Sequence, residues 1–247
     1  MFNVFPISGR IGCFRLTGWF RTCRVLNKKR EGETQMIKAI FWDNDGVLVD
    51  TEGIFFKANS ETLAGVGISL QWEQFEEISL RRGGSVLQLA AKPGTDAFYK
   101  LRRDRDALYA ELLTCESPVI DGVRDMLETL RGKYVMGIVT SSGHEHFEII
   151  HRQSGLLPYF QFVLTMKDCA HFKPHPEPYL KALALCGCAP EECLVIEDSP
   201  RGLASAVCAG IRAIVIPSQF TRGSAFPGAW RILKSVKELP AALEDLA

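Results

Sequence analysis

The chain has 247 residues, balances 29 basic against 29 acidic side chains, and has ordinary apolar and charged fractions of 47% and 23%. That length suits one domain with a modest insertion, and no apolar run approaches the roughly 20 residues that span a bilayer. The neutral balance hides an asymmetry: Arg10, Arg15, Arg21, Arg24, Lys28, Lys29 and Arg30 face only Glu31 and Glu33 in residues 1–35, so the remainder is mildly acidic and lacks the basic face that nucleic-acid binding wants.

Residues 1–35 show no amphipathic period and no motif. An Arg-rich targeting peptide, a disordered basic tail, and a non-native extension before a start at Met36 are the three readings. The third is favoured, because Met36 stands directly before the first apolar run. In addition, Lys28–Glu33 corresponds to purine-rich codons of the kind that precede a bacterial start codon.

Ile37 to Trp42 reads as a buried parallel strand. From Glu52 to Ser117 the pattern is helical: Phe55, Phe56, Asn59, Leu63 and Val66 recur near helical spacing, as do Leu101, Leu108 and Leu112. Gly65, Gly67, Gly83, Gly84 and Pro93-Gly94 punctuate this block. Alternation follows: helix Val123–Leu130, strand Val135–Val139, helix Glu145–Gln153, strand Phe162–Thr165, helix Pro178–Cys186, strand Leu194–Ile196. Ser199 is a good N-cap with Pro200 in the first helical position, and Gly210 suits the residue just past that helix. Ala213–Ile216 is a further strand. The expected fold is therefore α/β, a Rossmann-like doubly wound parallel sheet with helices on both faces.

Chemistry-bearing residues follow the predicted strands. Asp43-Asn44-Asp45-Gly46-Val47 places two carboxylates two residues apart at a strand's carboxyl end, where open α/β sheets hold ligands. One can attack a phosphorus atom while the other handles the proton. Thr140, Ser141 and Ser142 follow the second strand and offer hydroxyls and backbone N–H groups for phosphate oxygens, although such residues also favour plain turns. Lys173 supplies a fixed positive charge for a transferring phosphoryl group, in a loop stiffened by Pro174, Pro176 and Pro178. Glu197-Asp198 stands directly after an apolar strand, which a merely dipole-favoured acidic pair at a helix start does not explain.

These four segments, in this order, resemble the motifs of the haloacid dehalogenase superfamily, most closely its phosphatase and β-phosphoglucomutase-like branch. The likeness covers nearly all of residues 36–247. It implies an α/β core of residues 36–51 and 119–247 and an inserted all-helical cap of residues 52–118. It also implies a Mg2+-dependent phosphatase for a small phosphorylated metabolite, such as a sugar phosphate or phosphoglycolate. Asp43 would be the nucleophile that becomes an aspartyl-phosphate, Asp45 the acid and base, with Thr140 and Lys173 beside them. Asp43, Asp45 through its carbonyl, Asp198 and Glu197 would hold Mg2+. Ser141, Ser142, Arg81 and Arg82 would bind substrate, with Arg103 and Arg105 as further candidates.

A phosphomutase is the main alternative, differing in how well the cap excludes water. A dehalogenase is disfavoured by Asp45 and Asp198. A phosphonate hydrolase would need a Schiff-base lysine, for which Lys57 is the candidate, and a non-catalytic binding protein is disfavoured by the intact set. A cytoplasmic monomer or homodimer without nucleic-acid or membrane partners is expected. Asn44, Phe172 and Asp121 depart from the usual wording of the motifs. Cys186, Cys188 and Cys193 lack the paired spacing of zinc ligands and read as small reduced residues. His144, His146 and His151 do not share one helical face; His171 and His175 flank Lys173.

Overall fold

The computed structural model describes residues 36–115 and 119–245; the expectations for residues 1–35 lie outside them. Strands β1 (Ala39–Trp42), β2 (Val135–Val139), β3 (Phe162–Leu164), β4 (Cys193–Glu197), β5 (Arg212–Val215) and β6 (Arg231–Ile232) form one all-parallel sheet in the order β3-β2-β1-β4-β5-β6. Trp42 aligns with Ile138 of β2 and Ile196 of β4. The chain builds outward in one direction from β1 to β3 and in the other from β4 to β6. The reversal between β1 and β4 opens a crevice at their carboxyl ends.

Alternation along the buried strands feeds two apolar layers. Ile40, Trp42, Met136, Ile138 and Ile196 join one face. Helices α4 (Val123–Leu130), α5 (His144–Ser154) and α8 (Leu239–Glu244) cover it, contributing Leu127, Phe147 and Leu243. Ala39, Phe41, Val195 and Val215 join the other face. There, α6 (Glu177–Cys186) and α7 (Pro200–Cys208) contribute Tyr179 and Leu203. Ser199 caps α7 by accepting from the Gly202 N–H, and Pro200 occupies its first position. Burying each such large side chain stabilises by about 1.5–3 kcal/mol.

Between β1 and α4 every described regular element is helical: α1 (Glu52–Ala64), α2 (Trp72–Phe75), a π-helical turn at Glu76–Arg81, a 3-10 turn at Val86–Leu89 and α3 (Asp96–Cys115). This block has an apolar cluster of its own, with Leu63, Leu70, Phe75, Leu87 and Phe98. The chain leaves and returns side by side: Val49 bridges Val119, and the Ile120 N–H donates to the Leu48 carbonyl at 3.0 Å.

Candidate active site

Asp43 is the first residue beyond β1, and its N–H still donates to the Ile196 carbonyl at 2.9 Å. Its Oδ1 accepts from the Asn44 N–H at 2.8 Å and from Lys173 Nζ at 2.9 Å. Lys173 is only 4% exposed. Its ammonium also donates to Glu197 Oε1 at 2.6 Å and to the Val139 carbonyl at 2.7 Å, so one cation ties the ends of β1, β2 and β4. Tyr179 donates to the same Glu197 oxygen at 2.8 Å, while Ser199 Oγ donates to Oε2 at 3.1 Å. Gly202 makes room for this carboxylate, since a Cβ there would stand 1.9 Å from it.

The electrostatics follow from three buried carboxylates facing one ammonium. Burial, then the charge of Glu197, pushes Asp43 up to about 8 despite Lys173. Burial, then the charges of Glu52 and Asp43, holds Asp198 well above the carboxylate range. Burial works against the Lys173 ammonium, but Asp43 and Glu197 outweigh it and keep it charged.

Asp43, Glu197 and Asp198 each offer an oxygen, all within 4.8 Å of one another. Gly46, at φ +80°, supports this approach: a Cβ there would lie 2.4 Å from Asp198 Oδ2. An all-carboxylate donor set with excess negative charge fits a hard divalent cation such as Mg2+. Glu197 is the most heavily hydrogen-bonded of the three and anchors Lys173, whereas Asp198 Oδ2 accepts from Thr221 Oγ1 at 3.5 Å.

Asp45 accepts hydrogen bonds from the Thr51 and Ser142 hydroxyls, and from Thr140 Oγ1 at 3.4 Å. The turn that presents it is held by the Asn44 carbonyl, which accepts from the Leu48 N–H at 2.8 Å. The Thr140–Ser142 loop is fixed by the Thr140 N–H on the Leu164 carbonyl at 2.9 Å, and by the Ser142 N–H on Thr140 Oγ1 at 2.9 Å. The unusual Asn44 has a buried partner: His151 on α5 donates through Nε2 to Asn44 Oδ1 at 2.7 Å and meets Ser154 Oγ at 2.8 Å through Nδ1. Burial lowers this histidine to about 4, so it is neutral. The pair joins the Asp43–Asp45 turn to the helix that follows the Thr140–Ser142 loop.

Asp43, Asp45, Thr140, Ser141, Ser142, Lys173 and Asp198 border one cavity of about 520 Å³, whose other side is helical. Arg102, Arg105, Asp106 and Tyr109 line it from one face of α3, at the i, i+3, i+4, i+7 spacing of a helix. Arg105 is 8% exposed; it donates to Asp106 at 2.7 Å and to Asn59 at 3.2 Å, with its guanidinium 4.6 Å from the Phe55 ring centroid. Glu52 also lines the cavity; burial pushes its carboxyl up to about 7, although Ser218 donates to it at 3.0 Å.

The structure does not bring Arg81 and Arg82 to this cavity. They are exposed and pair with Glu76 and Glu77 at 2.7 Å each, because the π-helical turn directs them along their own element. Arg103 and the exposed Lys57 are not among the lining residues either. His144 and His146 line the cavity, whereas His171 pairs with Glu177 at 2.8 Å and stacks on His175. Phe172 is exposed and leaves Lys173 buried, while Asp121 pairs with Lys237 at 2.6 Å. Arg102, Tyr109, Glu52 and Thr221 were not singled out from sequence as site residues; the shared helical face of Arg102, Arg105, Asp106 and Tyr109 was the available signal.

Fold and site define a parallel α/β protein with its polar groups at the carboxyl ends of the strands, beside a helical insertion. The chain belongs to the haloacid dehalogenase-like hydrolase family, whose model matches residues 40–216. It is 29% identical over 225 residues to protein CbbY of Rhodobacter capsulatus, covering 83% of this chain and 99% of that protein. It is 30% identical over 185 residues to the phosphorylated carbohydrates phosphatase of Thermotoga maritima, covering 72% and 84%. A crystal structure of CbbY from Rhodobacter sphaeroides in complex with xylulose-(1,5)bisphosphate superposes with a TM-score of 0.72 at 26% identity, covering 83% and 96%. The expected class, a phosphoric monoester hydrolase, stands with these relatives. No described helix is long and apolar enough to cross a membrane.

Proposed function

We propose that this protein hydrolyses phosphate monoesters of small phosphorylated sugars through an aspartyl-phosphate on Asp43, with Mg2+ as cofactor. The observation that carries the reading is the buried Lys173 ammonium fixed between Asp43 and Glu197, with hydroxyl-bonded Asp45 two residues along. Asp43 attacks phosphorus, forming a new P–O bond as the ester P–O bond breaks. Asp45, aligned by Thr51, Thr140 and Ser142, gives its proton to the leaving alkoxide. It then takes a proton from water, whose oxygen attacks the aspartyl-phosphate and releases inorganic phosphate and free Asp43. Lys173 offsets negative charge throughout, and the Thr140–Ser142 loop supplies donors for the phosphoryl oxygens. Asp43, Asp198 and the Asp45 carbonyl, with Glu197 close by, would hold Mg2+, which would supply neutralisation of the charge shared by phosphate and carboxylates.

Residues 52–118 act as a cap that selects substrate and limits water. Arg102 and Arg105 suit a second anionic group on the sugar, in line with the sugar phosphates named for two of the relatives. The test is inorganic phosphate release from a panel of sugar phosphates and phosphoglycolate, with Mg2+ and with chelator. Mg2+-dependent release from a sugar phosphate is expected. Release from none, with isomer conversion under a bisphosphate primer, would overturn hydrolysis in favour of mutase chemistry.

A further inference from the structure

The sheet's opposite end holds a second cluster that the hydrolytic chemistry does not use. Cys186 is the last residue of α6, Cys188 lies in the following loop, and Cys193 opens β4. Their sulfurs all lie within 4.8 Å of one another. Cys193 and Glu197 are the two ends of one strand, about 13 Å apart at roughly 3.3 Å per residue, so the clusters are separate.

The loop is shaped for this convergence. Gly187 at φ +69° reverses the chain directly after the helix, which turns Cys188 back toward Cys186. The Cys188 N–H donates to Cys186 Sγ at 3.4 Å, the kind of backbone support that orients a metal-binding sulfur. Cys193 is buried, whereas Cys186 and Cys188 are half-buried, which leaves an approach from solvent. Lys38 stands alongside, paired with Glu192 at 2.5 Å, and its charge faces Cys188.

We propose that Cys186, Cys188 and Cys193 bind one thiophilic d10 cation, of the Zn2+ or Cd2+ class, as a three-sulfur site with a fourth position open to water. Soft sulfur donors select such ions over Mg2+. A tetrahedral ion with Zn–S near 2.3 Å needs sulfurs about 3.8 Å apart, so the separation closes by about 1 Å or less. Each ligating thiol gives its proton to solvent as its bond to the ion forms. The sequence spacing alone argued against a metal, because the third donor comes from the next strand rather than from a paired motif.

The test is a titration of reduced, full-length protein with Cd2+ in excess Mg2+, which occupies carboxylate oxygens but not sulfur. A sulfur-to-metal charge-transfer band that saturates at one equivalent is expected, with Zn2+ displacing it. Cys188→Ser and Cys186→Ala should each weaken binding by about tenfold or more, while Cys208→Ser should not. On the unmodified chain, Zn2+ should slow alkylation of Cys186 and Cys188, mapped by mass spectrometry, by a similar factor. A band that never saturates, that survives both variants unchanged, or alkylation indifferent to Zn2+ would overturn the proposal.

Discussion

Replacing Lys173 by methionine keeps the length of the stem and deletes the one ammonium that bridges Asp43 and Glu197. The contacts are 2.9 and 2.6 Å, in a residue 4% exposed. At an effective dielectric of about 20, unit charges about 3 Å apart attract by about 5.5 kcal/mol; Asp43, raised to about 8, gains that attraction only as it ionises, and desolvation of the ions offsets much of it. Removing one partner of a buried pair costs about 3–5 kcal/mol, because the remaining charge is left uncompensated. Asp43 adds to that loss once it ionises, above about pH 8, so the upper half of the range is expected at high pH. The pH dependence has a definite sign. Asp43 already binds its proton more tightly in the folded state than in the unfolded one, and without the cation that opposes this it binds it more tightly still. An acid raised on folding loses stability as pH climbs from its unfolded value to its folded one. Urea denaturation in chelator should therefore show a larger deficit at pH 9 than at pH 6, and Glu197→Gln in the same chain should recover part of it. A deficit under about 1 kcal/mol at both pH values, or a larger one at pH 6, would refute the reasoning.

Three further outcomes follow from the same geometry. Asp43, held up to about 8 chiefly by burial, keeps its proton at neutral pH until a cation displaces it. Apparent Mg2+ affinity should therefore rise about tenfold per pH unit from pH 6 to about 8; calorimetry in buffers of differing ionisation enthalpy reads the released proton, and pH-independent binding would contradict it. His151 is lowered by burial from 6.5 to about 4, so it must charge on unfolding in acid. It contributes a loss of about 1 kcal/mol between pH 7.5 and 5.5, which denaturation of wild type against Asn44→Leu/His151→Leu would isolate; equal slopes would count against it. Gly202→Ala should destabilise by about 1–3 kcal/mol through overpacking against Glu197, although alanine usually strengthens a helix. A melting point at or above that of wild type would show that the carboxylate can move aside.

Local patterns carried most of the sheet. Val123–Leu130 and Val135–Val139 occupy their expected bounds, because Val123, Met126, Leu127 and Leu130 repeat at helical spacing and the short apolar run that follows leaves a buried strand as its outlet. The two-residue β6 at Arg231–Ile232 has no such run and is defined only by pairing with β5. Around the cavity, residues directly after strand ends were legible because the α/β fold points those positions at the crevice. Which arginines reach it was only partly legible: Arg105 was among the candidates, but Arg102 was not and Arg81, Arg82 and Arg103 do not line the cavity, since which face of a helical block meets the core is decided by its packing. Asn44 looked anomalous for the same reason: His151, its explanation, lies 107 residues away. The three cysteines converge through a chain reversal that ligand spacing alone does not reveal.

The central claim, attack by Asp43 on phosphorus, is tested most directly by trapping the intermediate. Protein mixed with a radiolabelled sugar phosphate and Mg2+ is quenched in acid within the first turnover, digested and mapped. Label on the peptide bearing Asp43, lost on hydroxylamine treatment and absent from Asp43→Asn, is the predicted result. Phosphate release with no protein-bound label at any quench time, or label retained in Asp43→Asn, would contradict it.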